Sequence, residues 1–293
     1  MTVASHLVLL ILTSQFLLPG QVKSDSLSSL LASPREDSAE WHRNVGRAYY
    51  VMGKIEPTLK HLQQAIRLDP TNEQLYLDLG QVLAENNARE AVVVVFEAAQ
   101  RTLPDSFRIQ SALGVAYLTV RNYGRAKETF TGLIRSKPEY ELGYQLLAEC
   151  YDITQDWKNS ATVAKRLREL NPKNSNGWYY GASAEFAIRR LNGEELQTAT
   201  SLARRAVELA PSDWRTHLLL GKLLAESHQD GEAVASLKKS IALHRGDPKT
   251  YYILGQTLKR LGRLEESAAA FKSYKESRKN HAARQRSLLV DIK

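Results

Sequence analysis

The 293-residue chain has a single cysteine, Cys150, which excludes an intramolecular disulfide and any cysteine-built metal cluster. It holds no HExxH, no GxSxG and no glycine-rich phosphate loop, so metallopeptidase, serine-hydrolase and nucleotide chemistry have no motif to rest on. The histidines at 42, 61, 217, 228, 244 and 281 read as scattered, none pairing with another at i+4. His42 and His217 fall where an aromatic would pack, and read as packed rings. Cys150, beside Tyr151, reads as a small packed hydrophobe rather than a reactive thiol. No enzyme, cofactor or metal site is expected.

Long apolar runs are missing as well. Leu7 to Leu18 is interrupted by Thr13, Ser14 and Gln15 and broken by Pro19 and Gly20. That is the length of a signal-peptide core and too short to span a bilayer comfortably, although no Lys or Arg lies between Met1 and His6. Val22 and Ser24 suit cleavage before Asp25, and no cysteine follows that would support a lipid anchor. Residues 1–24 are expected to be a signal peptide and 25–38, Ser-rich with Pro34, a linker. The expected location is periplasmic or secreted; the alternatives are a membrane anchor formed by an uncleaved signal, or the cytoplasm. Asp37 with Glu40 three residues on reads as a capping pair for the first helix.

A period is what the chain does have. Small residues recur every 34 positions at Gly46, Gly80, Gly114, Ala148 and Ala182, beside Pro70, Pro104, Pro138 and Pro172 at the same interval. Apolar residues at helical spacing surround each small residue, and a second such stretch precedes each proline, which lacks an N–H and stops the helix. Each unit is thus helix, turn, helix, stop. The small residue lets two backbones approach while a large neighbour such as Phe130 fills the remaining space. One hairpin cannot bury both its faces, so neighbours must stack.

This pattern resembles the tetratricopeptide repeat (TPR): an aromatic, Leu-Gly, Tyr, then Ala, Phe, Ala and a closing Pro at fixed offsets. Seven units fit, at residues 39–72, 73–106, 107–140, 141–174, 175–213, 214–247 and 248–281, with 282–293 a basic and apolar tail. The fifth is five residues too long, and the excess at Leu191, Asn192, Gly193 and Glu194 is read as an enlarged loop between its helices. The resemblance implies an all-α, right-handed α-solenoid of stacked helix-turn-helix repeats.

It also implies which residues line a concave groove. At the inward offsets of the first helices stand Arg43, Arg47 and Tyr50, then Gln81, then Gln145, Glu149 and Asp152. Tyr179, Ser183 and Phe186 follow, then Lys222, and last Tyr252, Gln256 and Lys259. Tyr179 and Phe186 are expected to form an exposed aromatic patch, and Tyr252, Lys222, Lys259 and Arg260 a basic-aromatic end; the alternative for Phe186 is packing against the enlarged loop. The Lys/Asn/Arg clamp by which some TPR domains grip a peptide's C-terminal carboxylate is missing, since Leu77, Gln81, Ser111 and Val115 occupy its positions.

The net charge of +8 sits mainly at one end: from Thr257 onward ten Lys/Arg face four Asp/Glu, a net of +6. The expected function is a non-catalytic scaffold or adaptor holding a peptide or partner protein in its groove, in a cell-envelope or secretory setting. The alternative is binding of an anionic polymer or membrane surface through the basic C-terminal end. A small-molecule substrate and nucleic acid are not expected, and membrane contact only through an uncleaved N-terminus or that basic end.

Overall fold

The computed structural model describes residues 37–193 and 195–290. The expected signal peptide, the linker before residue 37 and residue 194 of the insertion lie outside them. Fourteen α-helices form seven hairpins among the described residues. The pairs are α1 (Ala39–Val51) with α2 (Ile55–Leu68), α3 (Glu73–Glu85) with α4 (Arg89–Thr102), and α5 (Phe107–Thr119) with α6 (Tyr123–Ser136). Next come α7 (Glu141–Ile153) with α8 (Trp157–Leu170), and α9 (Ser175–Asn192) with α10 (Gln197–Leu209). The last are α11 (Trp214–Glu226) with α12 (Asp230–Leu243), and α13 (Pro248–Arg260) with α14 (Leu264–Val290). The chain divides into two bodies at Cys150, within α7. In each, hairpins stack on their sequence neighbours, the arrangement of the right-handed α-solenoid class.

Local chemistry repeats with the period. The first helices are capped by Ser38, Asn72, Ser106, Asn174, Asp213 and Asp247, each side chain accepting a backbone N–H of the first turn. Ser38 is the cap of α1, accepting from Trp41 N at 3.1 Å, and not Asp37 as the sequence suggested. Asp37 instead accepts from His42 Nε2 at 2.9 Å.

Each hairpin turn passes through one left-handed residue: Gly53, Asn87, Arg121, Gln155, Gly193, His228 and Gly262, with φ between 56° and 74°. In most of them the next N–H reaches back five residues, as from Asn122 to the Tyr117 carbonyl and from Gln229 to that of Leu224, both at 2.8 Å. Prolines then stand just past the second helices, Pro70 after Leu68 and Pro138 after Ser136. The carbonyls of Pro70, Pro104, Pro172 and Pro211 accept from Tyr76, Gln110, Trp178 and His217, each six residues on. His217 is therefore a buried ring hydrogen-bonded to backbone, as its register suggested.

The core lies between paired helices. Phe96, Phe130 and Leu62 are fully buried against the small residues of the facing helix, and burying each such side chain contributes about 1.5–3 kcal/mol. In the second body one cluster joins Ala182, Phe186, Ala199, Ala203, Leu220 and Leu223, and another Val234, Leu237, Leu254 and Leu258.

Two boundaries differ from the sequence reading. The five extra residues of the fifth repeat lengthen α9 to 18 residues against 13 in the other first helices, instead of enlarging a loop. Ala187, Ile188, Arg189 and Arg190 continue the helix, and Gly193 at φ 70° ends it. The last helix runs to Val290, through the boundary placed at residue 281, so the expected tail is helical to that point.

Candidate interaction face

In the first body, the expected groove residues tie one repeat to the next. Arg43 Nε donates to Asp78 Oδ2 at 2.6 Å, and Gln74 Nε2 donates to the other oxygen at 2.7 Å; the Asp78 side chain is 1% exposed. Tyr50 donates its hydroxyl to Glu85, which also accepts from Gln81 Nε2 at 2.9 Å. Burial, and then the Glu85 hydrogen bond, push the Tyr50 phenol above its usual range. Arg47 is half-buried, its proton affinity lowered by desolvation and then by the Arg43 charge. Farther along, Ser106 and Arg108 both donate to Glu73, the latter at 2.6 Å. Arg43 to Asp78, Tyr50 to Glu85 and Arg108 to Glu73 each span 35 residues, one period plus one. Gln81 and Glu149 are buried and Gln145 half-buried, so this stretch offers less free polar surface than its sequence suggests.

The second body differs. Phe186 is 4% exposed and belongs to the α9–α10–α11 core, packed among Ala182, Ala199, Ala203 and Leu223. The expected exposed Tyr179–Phe186 patch is therefore corrected: alanines on α10 leave room for the Phe186 ring, which turns inward. Tyr179 is half-buried beside that cluster, edge-on to Tyr180 at 5.1 Å, with the Arg215 guanidinium 5.3 Å from its centroid. Arg215 is held by Asp213 through Nε–Oδ1 at 3.0 Å and Nη2–Oδ2 at 2.6 Å. Lys222 reaches over the Phe186 ring, its Nζ 4.8 Å from the centroid. Asp152 accepts from Ser183 Oγ at 2.7 Å, and burial raises its proton affinity against that hydrogen bond and the nearby charges of Lys222 and Arg215.

Tyr252 is 43% exposed on α13, edge-on to Phe271 and accepting from Gln256 Nε2 at 2.8 Å. Lys259 is exposed. Arg260, grouped with it from sequence, is held by Asp230 at 2.6 Å and by the Ala225 carbonyl at 2.7 Å.

Two features escaped the sequence reading. Arg215 and Lys249, 34 residues apart, stand one turn before the inward positions of α11 and α13, and that equal spacing was the available signal. His42 and His61 belong to the same repeat and meet with Nδ1 atoms 2.9 Å apart, against Trp41 and Tyr49. Since the Asp37 carboxylate only accepts, His42 Nε2 is the donor in that contact. Cys150 is fully buried, its thiol pushed up to about 12 by desolvation, as befits a packing residue. Among the described residues no group of three or more His, Cys, Asp or Glu is placed to hold a metal, and no helix is long and apolar enough to cross a membrane.

Residues 46–87 match the TPR repeat family, and residues 248–281 match the Tetratricopeptide repeat family. The chain is an all-α protein of seven TPR-type helix pairs. Lipopolysaccharide assembly protein B of Escherichia coli (strain K12) is similar, 22% identical over 209 residues that cover 69% of this chain and 54% of that protein. The chain thus spans about half the length of this curated relative. A tetratricopeptide repeat protein from Parabacteroides merdae superposes with a TM-score of 0.62 at 15% identity, over 82% of this chain and 93% of that one. YrrB, described as a TPR protein with an unusual peptide-binding site, gives 0.51 at 14% identity, over 65% of this chain and 95% of that one. These likenesses carry the fold.

Proposed function

We propose that this protein is a non-catalytic adaptor that holds an extended segment of a partner protein against the first helices of its repeats, outside the cytoplasm. The observation that carries this reading is the face of the second body, where Tyr252 and Lys259 are exposed on α13 and Lys222 lies half-buried over the Phe186 ring, while in the first body Arg43 and Tyr50 are tied to Asp78 and Glu85. Aromatic rings with flanking cations form the anchors of protein interfaces. The likeness to a solved protein described as peptide-binding agrees with the reading. The envelope setting draws on the apolar run at Leu7 to Leu18 and on the likeness to lipopolysaccharide assembly protein B.

Pull-down from the native host with the wild-type chain and with a Tyr179→Ala, Tyr252→Ala variant tests it. Proteins captured by the first and lost by the second, at unchanged thermal stability, support the adaptor; identical captures sink it. N-terminal sequencing of the native protein tests export, and a chain beginning at Met1 or Thr2 in the cytosol would overturn that part.

Binding of an anionic surface through the C-terminal end is the weaker reading. Arg260 is paired with Asp230, and Glu266 accepts from both Lys238 and Arg263 at 2.9 and 2.7 Å, so part of that charge is already neutralised.

A further inference from the structure

Within the second body, the charges around α11 do not cancel. Arg215 is matched by Asp213 and Arg190 by Glu226, with Nε–Oε1 at 3.5 Å. Lys222 stands apart: among the described residues no carboxylate lies within ion-pair distance of its ammonium, which faces the Phe186 ring at 4.8 Å. Asp152 contributes to its field but bonds to Ser183 instead. The other charged groups facing Lys222 are Arg190 on α9, Lys249 on α13 and Glu226 on its own helix. Burial, then the Arg190 and Lys249 charges, lower its proton affinity. A half-buried ammonium seated on an aromatic face, with like charges on either side, has no ion-pair partner among the described residues.

We propose that Lys222 seats a carboxylate: an Asp or Glu side chain of the extended partner segment lies on the first-helix face of the second body, its oxygens on the Lys222 ammonium. This rests on the adaptor reading above and specifies the chemistry of the segment that is held. Charge-assisted hydrogen bonds in a partly desolvated site are about twice as strong as neutral ones, and shielding by Phe186 limits competition from water. The C-terminal carboxylate clamp of some TPR domains, missing here, has no part in it.

A random dodecapeptide display library panned against the full chain tests the proposal, with synthetic copies of the selected peptides titrated afterwards. The expected result is enrichment of Asp or Glu at one aligned position. Replacing that residue by Gln or Asn in the peptide should weaken binding to the wild-type chain about tenfold, a change that needs no protein variant. Lys222→Met, which keeps an apolar stem over Phe186, should lose the same factor and become indifferent to the peptide change, whereas Lys222→Arg should keep the preference. Peptides selected without an acidic position, or an acidic preference that survives in a folded Lys222→Met variant, overturn this inference and leave the adaptor standing. Failure to select any peptide sinks the adaptor reading, and this one with it.

Discussion

Gly114 and Phe130 are in direct contact across their hairpin, and a Cβ added at Gly114 would fall 2.4 Å from Phe130 Cε1. Phe130 is fully buried and has nowhere to retreat. Gly80 repeats the relationship with Phe96 at 2.3 Å, and Gly255 with Phe271 at 3.0 Å. At Gly46 the same methyl would meet Leu62, His61 and the Thr58 carbonyl at an ordinary 3.4 Å. Gly114→Ala should therefore destabilise the protein by about 1–3 kcal/mol through overpacking. Gly46→Ala should stabilise it by about 0.5–1 kcal/mol, because alanine is the better helix former. Urea midpoints of the two variants decide the matter, and equal shifts would mean the contact is not the determinant.

Arg121 and Gln155 hold the left-handed turn position with φ of 60° and 58°. A side chain in that region costs about 1–2 kcal/mol, which glycine avoids while adding unfolded-state entropy. Arg121→Gly and Gln155→Gly should each stabilise by about 0.5–1 kcal/mol net. Gly53→Ala should do the reverse, although a Cβ there meets no atom within 4 Å. Thermal melts that rank these three otherwise would refute the turn assignment.

Arg43 and Asp78 join the first repeat to the second. Removing the guanidinium leaves a buried carboxylate hydrogen-bonded by Gln74, with only the more distant Arg47 charge to offset it, so Arg43→Met should cost about 3 kcal/mol. The double change Arg43→Met, Asp78→Leu should recover most of that loss. Hydrogen exchange should show the first hairpin opening first in the single variant. A double variant no more stable than the single one would mean that Asp78 is satisfied without Arg43.

Asp152 has its proton affinity raised by burial, so the folded state favours the protonated form. Its contribution is favourable below the ordinary carboxylate range and is lost as pH rises through the raised folded value. Asp152→Asn should therefore be more stable than the wild type at pH 7, and this gain should vanish as the pH is lowered past the ordinary aspartate value. Urea unfolding of both proteins across that range is the measurement, and a constant difference would rule out titration as its origin.

The hairpin frame was legible because two independent local signals recur at one interval: a small residue between helices and a proline after the second helix. The fate of the insertion was not, because Leu191-Asn192-Gly193 has the composition of a loop while the residues before it keep helical φ and ψ to Asn192. Gly193 marked the end of a longer helix and not the middle of a turn. The left-handed positions were invisible because Asn87, Arg121, Gln155 and His228 share no chemistry.

The candidate face was legible in register and less so in character. The inward offsets found Lys222 and Tyr252, but direction alone cannot tell an exposed ring from one swallowed by alanines on the next helix, as at Phe186. Nor could it show that Arg43 and Tyr50 were already engaged by residues 35 positions later. The His42–His61 contact joins two helices at a separation of 19, which matches no helical spacing.

Those ties 35 residues apart also have a mechanical meaning. Each connects a hairpin of the first body only to its neighbour, so tension along that body would meet nearest-neighbour clasps rather than one shared core. A chain pulled in a force spectrometer would lengthen in quanta of one hairpin, about 115 Å of contour for 34 residues. The fifth hairpin, with its extended α9, would release about 17 Å more than the rest. The first body would behave as a graded spring whose first link to give is set by how well one arginine grips one aspartate.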